Sequence, residues 1–402
     1  MPRSSLSHSS PATGRRSADG QRRLASLTVD RLEDLAPALA AVDDGPWVLG
    51  LVFAHTRQAL AAAGAATGDR FDGIRLAGCT SAGIVDRHGR VGAAAQITLF
   101  GGDGFACEIS IGRPGDGSRD AGIAAAGALS QLGHRRASAV LILLADGLVG
   151  DTNDIVRGAY EVVGATVPIV GGCAGDDLAM TATHQLIDGR VVTESVIGIA
   201  LASSGSVGLG VHHGWSPSGH PMTVTSSSGT SVLTLDDRPA LDVYLEAIGH
   251  VGEPLTAAGL ATLCQTSPLG LSSRSGYHVR FIRGGDPVRR SIEFLVAIPE
   301  GETVTVMGGD TSSVLGAAGE AAARAVAEAG AGGHPVLGVV AFDCVACRGV
   351  IGDDLVAEEI GRLTASLPPE ATVSGLYTYG EIARRGGALG FHNQTMVVLA
   401  LA

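Results

Sequence analysis

The chain has 402 residues, 45% of them hydrophobic, with 59 Gly, a formal charge of −12 and no Lys among its 28 basic residues. That composition suits a compact, turn-rich globular protein with room for two domains. The missing Lys excludes a pyridoxal-phosphate Schiff base, a P-loop and a lysine nucleophile, and the acidic body disfavours nucleic acid and anionic membranes.

Ser, Pro, Gly and Arg dominate residues 1–26, where no apolar periodicity appears, so this segment reads as a disordered basic tail. Neither a membrane-length apolar run nor a secretory h-region occurs, which predicts a cytoplasmic protein without membrane insertion and with its six cysteines reduced. Apolar runs predict strands at 47–54, 74–79, 96–100, 107–112, 140–145, 167–171, 196–201 and 207–211, with helices at 56–66, 120–132 and 153–163. Asp188-Gly189 predicts a tight hairpin turn.

Near Leu235 the pattern changes, and Pro239 opens a helix, so the domains are expected at 27–235 and 236–402. The second half predicts hairpin strands 277–282 and 291–298 across Gly284-Gly285-Asp286, then strand 303–307, helix 312–329, strand 336–342 and helix 353–367. Strands 376–379 and 395–401 close the chain as a hairpin across an Arg-Arg-Gly-Gly turn. The fold class is α/β, in the α+β sense of mixed sheets, with two domains, each a mixed β-sheet under helical cover. No repeat between the halves is visible in the sequence.

Cys79, Thr80 and Ser81 sit in a small-residue loop after a strand, where a nucleophile elbow or a ligand-binding backbone loop would lie. A buried strand-end cysteine is the simpler reading. The Gly171–Asp177 turn lacks the dinucleotide glycine order, and its paired Asp repels phosphate. His212-His213-Gly-Trp215 offers imidazoles to a metal or a haem iron, held without a covalent attachment motif. Cys344-Val-Ala-Cys347 lacks the second pair that structural zinc needs. Arg348 would lower a neighbouring thiol's pKa, whereas continued extension would point the two thiols to opposite faces.

The densest polar set is Tyr377, Tyr379, Glu381, His392, Asn393 and Thr395, set within strand spelling. Such groups are costly when buried unless they satisfy one another or a ligand. Hairpin geometry brings Glu381 to His392, with Cys344 and Arg348 nearby. This is a ligand pocket or an internal network that locks the hairpin.

Taken in order, Ala77–Gly83, Leu141–Gly147, Val167–Asp176 and Val224–Tyr244 resemble the FIST N domain. Glu300–Met307, Phe342–Arg348 and Gly375–Ala402 resemble FIST C, although the family pattern has one Cys where this chain has Cys344 and Cys347. The resemblance implies a small-ligand sensor of intracellular signal transduction, with an amino acid or related metabolite as ligand. Output is then expected through a separate partner, such as a histidine kinase, a diguanylate cyclase or a chemotaxis receptor. Haem-based relatives make His212 and His213 candidate haem ligands; no other cofactor or metal is implied. The expected ligand-binding set is Cys79, Thr80, Ser81, Cys344, Arg348, Tyr379, Glu381, His392 and Asn393, in a non-catalytic module. The rival readings are an enzyme using Cys79 or Cys344 with His392 and Glu381, and a protein-interaction scaffold.

Overall fold

The computed structural model describes residues 13–17, 22–133, 139–250, 256–273, 276–384 and 390–402. Twelve of its strands form three four-stranded units of identical connectivity. In the first, Arg23–Val29 runs antiparallel to Ala95–Gly101, which runs antiparallel to Trp47–Ala54, which is parallel to Arg75–Thr80. The second repeats this order with Phe105–Gly112, Val196–Ser203, Ala139–Ala145 and Ile169–Cys173. The third repeats it with Val207–His212, Met396–Leu401, Gly338–Cys344 and Thr372–Thr378.

A parallel pair needs a crossover. Helix Arg57–Arg70 supplies the first and Thr152–Val163 the second, while Val345–Ile351 and Val356–Thr364 supply the third. The caps are legible: Thr56 Oγ1 accepts from the Ala59 N–H at 3.1 Å, and Asp151 accepts from the Asn153 N–H at 2.8 Å.

One glycine recurs at the same place in each last strand. Gly78, Gly171 and Gly375 lie in register with Val52, Leu143 and Ala341, and a Cβ on them would come within 1.9, 1.9 and 2.1 Å of those residues' carbonyl oxygens. Gly171 and Gly375 also hold φ of +148° and +157°, which a side chain disfavours. The repeat is therefore one of backbone, carried by a few glycines.

A further sheet contains Met222–Ser228, Ser231–Leu235, Leu269–Ser273, Gly276–Arg280, Ile282–Asp286, Ser291–Phe294 and Thr303–Gly308. Helix Ala240–Ala247 packs on it, and its separate core includes Val224, Leu235, Tyr244, Ile292 and Phe294. The molecule is thus mixed α/β, as expected. Its sheets run across residue 235: Val207–His212 pairs with the C-terminal strand, and Met222–Ser228 joins strands of the second half.

Three expectations change. Within the segment read as tail, Thr13–Arg16 pairs with Arg23–Val29, Arg22 donates to the Ala402 carbonyl, and Arg23 pairs with Asp43 and lies 4.6 Å from the Trp47 ring. Specific partners draw these arginines inward, while residues 1–12 and 18–21 lie outside the described residues. Gly284-Gly285-Asp286 is strand rather than turn, pairing with Ser291–Phe294 after a bulge, while Gly276–Arg280 pairs with Leu269–Ser273. Strands Thr372–Thr378 and Met396–Leu401 do not pair with each other; each flanks Gly338–Cys344. The terminal hairpin is Glu381–Arg384 with Phe391–His392, docked on Ile169–Cys173 of the second unit. Its expected turn falls partly on residues 385–389, outside the described residues. Asp188-Gly189 does form the expected left-handed turn, with φ of 44° and 79°. No helix among the described residues is long and apolar enough to cross a membrane.

Gly171→Ala should lower stability by about 1–3 kcal/mol through strain and carbonyl overlap. Gly361→Ala, in helix Val356–Thr364 with open space at its Cβ, should raise it by about 0.5–1 kcal/mol. Chemical denaturation of both variants checks the opposite signs.

Candidate functional site

Between Tyr377 and Glu381 the chain leaves the third unit and enters the second. The Tyr377 N–H donates to the Gly83 carbonyl at 2.8 Å and the Tyr379 N–H to the Cys173 carbonyl at 3.1 Å; the Gly380 carbonyl accepts from the Cys173 N–H at 2.8 Å. Glu381 then pairs in register with His392, as the hairpin reading required. Its carboxyl is fully buried and accepts from Thr378 Oγ1 at 2.7 Å and the Thr395 N–H at 3.2 Å. Burial, followed by the charge of Cys344, raises its pKa well above the ordinary range and so favours the neutral carboxyl.

Two more acids lie deeper. Tyr377 donates to Glu359 Oε2 at 2.7 Å, and burial with the Glu359 charge pushes Asp343 up. The Asp343 carboxyl accepts the Cys344 N–H at 2.8 Å. On the other flank, His392 Nε2–H donates to the Ala383 carbonyl at 3.0 Å, and its ring lies 5.4 Å from His278. Burial, then the His278 charge, pulls His392 down to about 3.

Cys344 ends its strand with φ −78° and ψ 128°, and helix Val345–Ile351 begins at the next residue. Extension therefore stops at Cys344 and Cys347 lies in the first helical turn, which removes the ground for the opposite-face expectation. Burial alone would raise the Cys344 thiol, but hydrogen bonds from Cys347 and from the N–H groups of Gln394 and Ala346 bring it down to about 7. By contrast, burial raises Cys79, and raises Cys173 to about 12.

Cys344, Tyr379 and Asn393 line one cavity of about 240 Å³, together with Leu178, Phe281 and Arg283. A second cavity of about 210 Å³ shares Met180, Arg283, Leu295 and Tyr379 with it, so the two form one cleft where the units and the added sheet meet. Asn393 Oδ1 accepts from the Phe281 N–H at 3.3 Å, yet its buried Nδ2 has no partner. Arg283 is exposed and makes no hydrogen bond or ion pair among the described residues.

Loop 176–182 covers the cleft. Tyr379 donates to Asp176 and accepts the Leu178 N–H at 2.7 Å, while the Asp176 carboxylate accepts three more backbone N–H groups, from Met180, Thr181 and Ala182. Burial opposes its ionisation, but these bonds outweigh it and hold Asp176 at about 2. Asp177, Leu178 and Met180 take φ of 54°, 63° and 52°, and Leu178 and Met180 are 61% and 42% exposed.

Of the expected ligand set, Cys344, Tyr379 and Asn393 thus share the cleft wall, and Glu381 stands behind Cys344. Arg348 is elsewhere, donating to the Ala82 carbonyl at 2.7 Å and pairing with Asp353 at 2.7 Å. Thr80 Oγ1 accepts the His184 N–H and Ser81 Oγ accepts the Gly83 N–H, both at 3.0 Å, so Cys79, Thr80 and Ser81 build the seam between units and do not line the cleft. His213 is spent: Nδ1 accepts the Trp215 N–H at 3.3 Å and Nε2 donates to the Tyr277 carbonyl at 3.0 Å. The His212 ring stacks 6.2 Å away, and neither imidazole lines either cavity. Arg283, Leu178 and Met180 escaped the sequence reading. Their only signals were an Arg beside two glycines taken for a turn, and two large apolar residues in an otherwise polar loop.

Residues 48–238 match the FIST N domain model and residues 240–384 the FIST C domain model. The chain belongs to the FIST family. FIST domains are regarded as sensory domains of signal transduction that bind small ligands. An uncharacterized protein of Methanocaldococcus jannaschii is 32% identical over 85 residues, which is 21% of this FIST chain and 17% of that protein's length. Among solved structures, a chorismatase aligns with a TM-score of 0.35 and 11% identity, over 89% of this chain and 94% of its own. A cyanuric acid hydrolase from A. caulinodans aligns with a TM-score of 0.30 and 12% identity, over 94% and 99%.

A neutral Glu381 has a measurable signature. In the pH range above the ordinary carboxyl pKa the unfolded chain releases a proton that folded Glu381 keeps, so stability falls as pH rises toward the raised folded value. Glu381→Gln mimics the protonated form and should gain on the wild type from about pH 5 to 8 in urea melts. Parallel curves would mean that Glu381 is ionised in the fold.

Proposed function

We propose that this FIST protein is a non-catalytic cytoplasmic sensory module that binds a small carboxylate-bearing metabolite, such as an amino acid, in the cleft beneath loop 176–182. Occupancy passes to a separate signalling protein, such as a histidine kinase or a diguanylate cyclase. The observation that carries the reading is that Asn393, which lines the same apolar cavity as Arg283, has a buried Nδ2 with no partner among the described residues. An unmet buried donor costs about 1–3 kcal/mol, which a ligand acceptor would recover. An Arg fork matches a carboxylate in two parallel bonds. The cavity's size suits a metabolite smaller than a drug.

Arg283 takes the carboxylate role first expected of Arg348, and neutral Glu381 is no partner for an ammonium group. Loop 176–182 supports the sensory part: Leu178 and Met180 are held in a sparsely populated backbone region with their side chains over the opening. Closing over a ligand would bury them. A Cys344–His392 nucleophile–base pair finds no support, because His392 is held neutral and already donates to Ala383.

Thermal shift with a panel of amino acids and related carboxylates tests the reading. At least one should raise the wild-type melting temperature, and Arg283→Ala should abolish the rise while changing unliganded stability by less than about 0.5 kcal/mol, as at other exposed, unpaired positions. An unresponsive wild type, or an Arg283→Ala protein that responds equally, would sink it.

Tyr379→Phe removes the hydroxyl that ties Asp176 and Leu178 down. It should keep ligand selectivity but make loop 176–182 more susceptible to limited proteolysis, and ligand should restore less protection than in the wild type.

A further inference from the structure

We propose that Cys344 and Cys347 form a redox-active dithiol, which a small hydroperoxide entering the cleft oxidises to an intramolecular disulfide. The inference is independent of the metabolite reading, since it requires only that the oxidant reach Cys344.

All six cysteines are free thiols. Cys79, Cys107, Cys173 and Cys264 are each raised by burial and stand apart in sequence, so none has a resolving partner in its own turn. Cys344 and Cys347 differ in their placement. They sit three residues apart where a strand becomes a helix, Cys344 capping the helix and Cys347 in its first turn. Cys344 forms part of the cavity wall, whereas Cys347 is buried behind it and does not line the cavity. Burial would raise the Cys344 thiol, but donors on Cys347 and on the backbone of Gln394 and Ala346 lower it. These donors stabilise a thiolate, the form that attacks peroxides. The raised Cys347 remains a protonated thiol beside it.

The chemistry closes without a further reactant. The Cys344 thiolate attacks one peroxide oxygen, the O–O bond breaks, and the departing alkoxide or hydroxide takes the Glu381 proton, leaving Cys344 as a sulfenic acid. Cys347 sulfur then attacks the Cys344 sulfur; the S–O bond breaks, and the leaving hydroxide takes the Cys347 proton to form water. Two thiol sulfurs have given up two electrons, and the peroxide has become an alcohol or water together with one further water. An external thiol reverses the change.

The full-length protein, treated natively with hydrogen peroxide, alkylated and analysed by mass spectrometry, decides the matter without any ligand. The wild type should lose two hydrogens, mapped to a Cys344–Cys347 link that dithiothreitol reverses. Cys347→Ser should stop at a Cys344 sulfenic acid captured by dimedone, and Cys344→Ser should leave Cys347 fully alkylatable. The proposal is overturned if wild-type Cys344 and Cys347 both remain alkylatable, or if the partly exposed Cys107 oxidises in their place. Should Cys344→Ser fail to fold, the wild-type peptide map still decides.

Discussion

Between Tyr377 and Glu381 one stretch of backbone is hydrogen-bonded to Gly83 and Ala82 of the first unit and to Cys173 of the second, while its own strand belongs to the third. Five residues are thereby shared by three sheets. Because backbone donors and acceptors buried at such a junction must all be met, the neighbouring loops have little freedom in either conformation or side-chain size. A Cβ on Gly83 would lie 2.8 Å from Val91 and 2.9 Å from the Tyr377 ring, and one on Gly175 3.0 Å from the Ala82 nitrogen. The small-residue spelling around Cys79, Thr80 and Ser81 answers to this packing, as do the Thr80 and Ser81 hydroxyls that hold neighbouring backbone.

The same junction gathers Asp343, Glu359 and Glu381 away from water. An isolated carboxylate there would cost far more than its hydrogen bonds return, so burial pushes all three acids up and the group acts as a hydrogen-bonding network of low net charge. Charge settles where donors are richest. Donors on Cys347 and on the backbone of Gln394 and Ala346 lower the Cys344 thiol's pKa, whereas burial raises the other thiols, although Cys344 is buried too. The cleft wall therefore joins a thiolate-forming Cys344 to an unpaired amide at Asn393, with the unpaired guanidinium of Arg283 across the opening.

Tyr379 couples that wall to its cover. One hydroxyl donates to Asp176 and accepts from the Leu178 backbone, and Asp176 in turn gathers the N–H groups of Met180, Thr181 and Ala182. Non-glycine residues at left-handed φ persist only when surrounding bonds over-determine them. Here the bonds radiate from a side chain on the cleft wall, so an event at the wall has a direct mechanical route to the loop.

Much of this was legible in the sequence where the physics is local. Apolar runs such as Trp47–Ala54 and Ala139–Ala145 and the Asp188-Gly189 turn lie where periodicity and turn chemistry put them. The density of polar residues at 377–395, the register of Glu381 with His392 and the ordered FIST blocks were readable too, because spacing along a strand and family spelling are properties of the chain itself. The threefold repeat was hidden, since Gly78, Gly171 and Gly375 conserve a close carbonyl approach and not a pattern of side chains. Which sheet the last hairpin joins and which arginine reaches the cleft depended on contacts between segments far apart in the chain. The sequence by itself determined the elements, the turns and the buried chemistry that needed partners. Only the tertiary structure decided who those partners are, because hydrogen-bond satisfaction and burial are settled by neighbours in space.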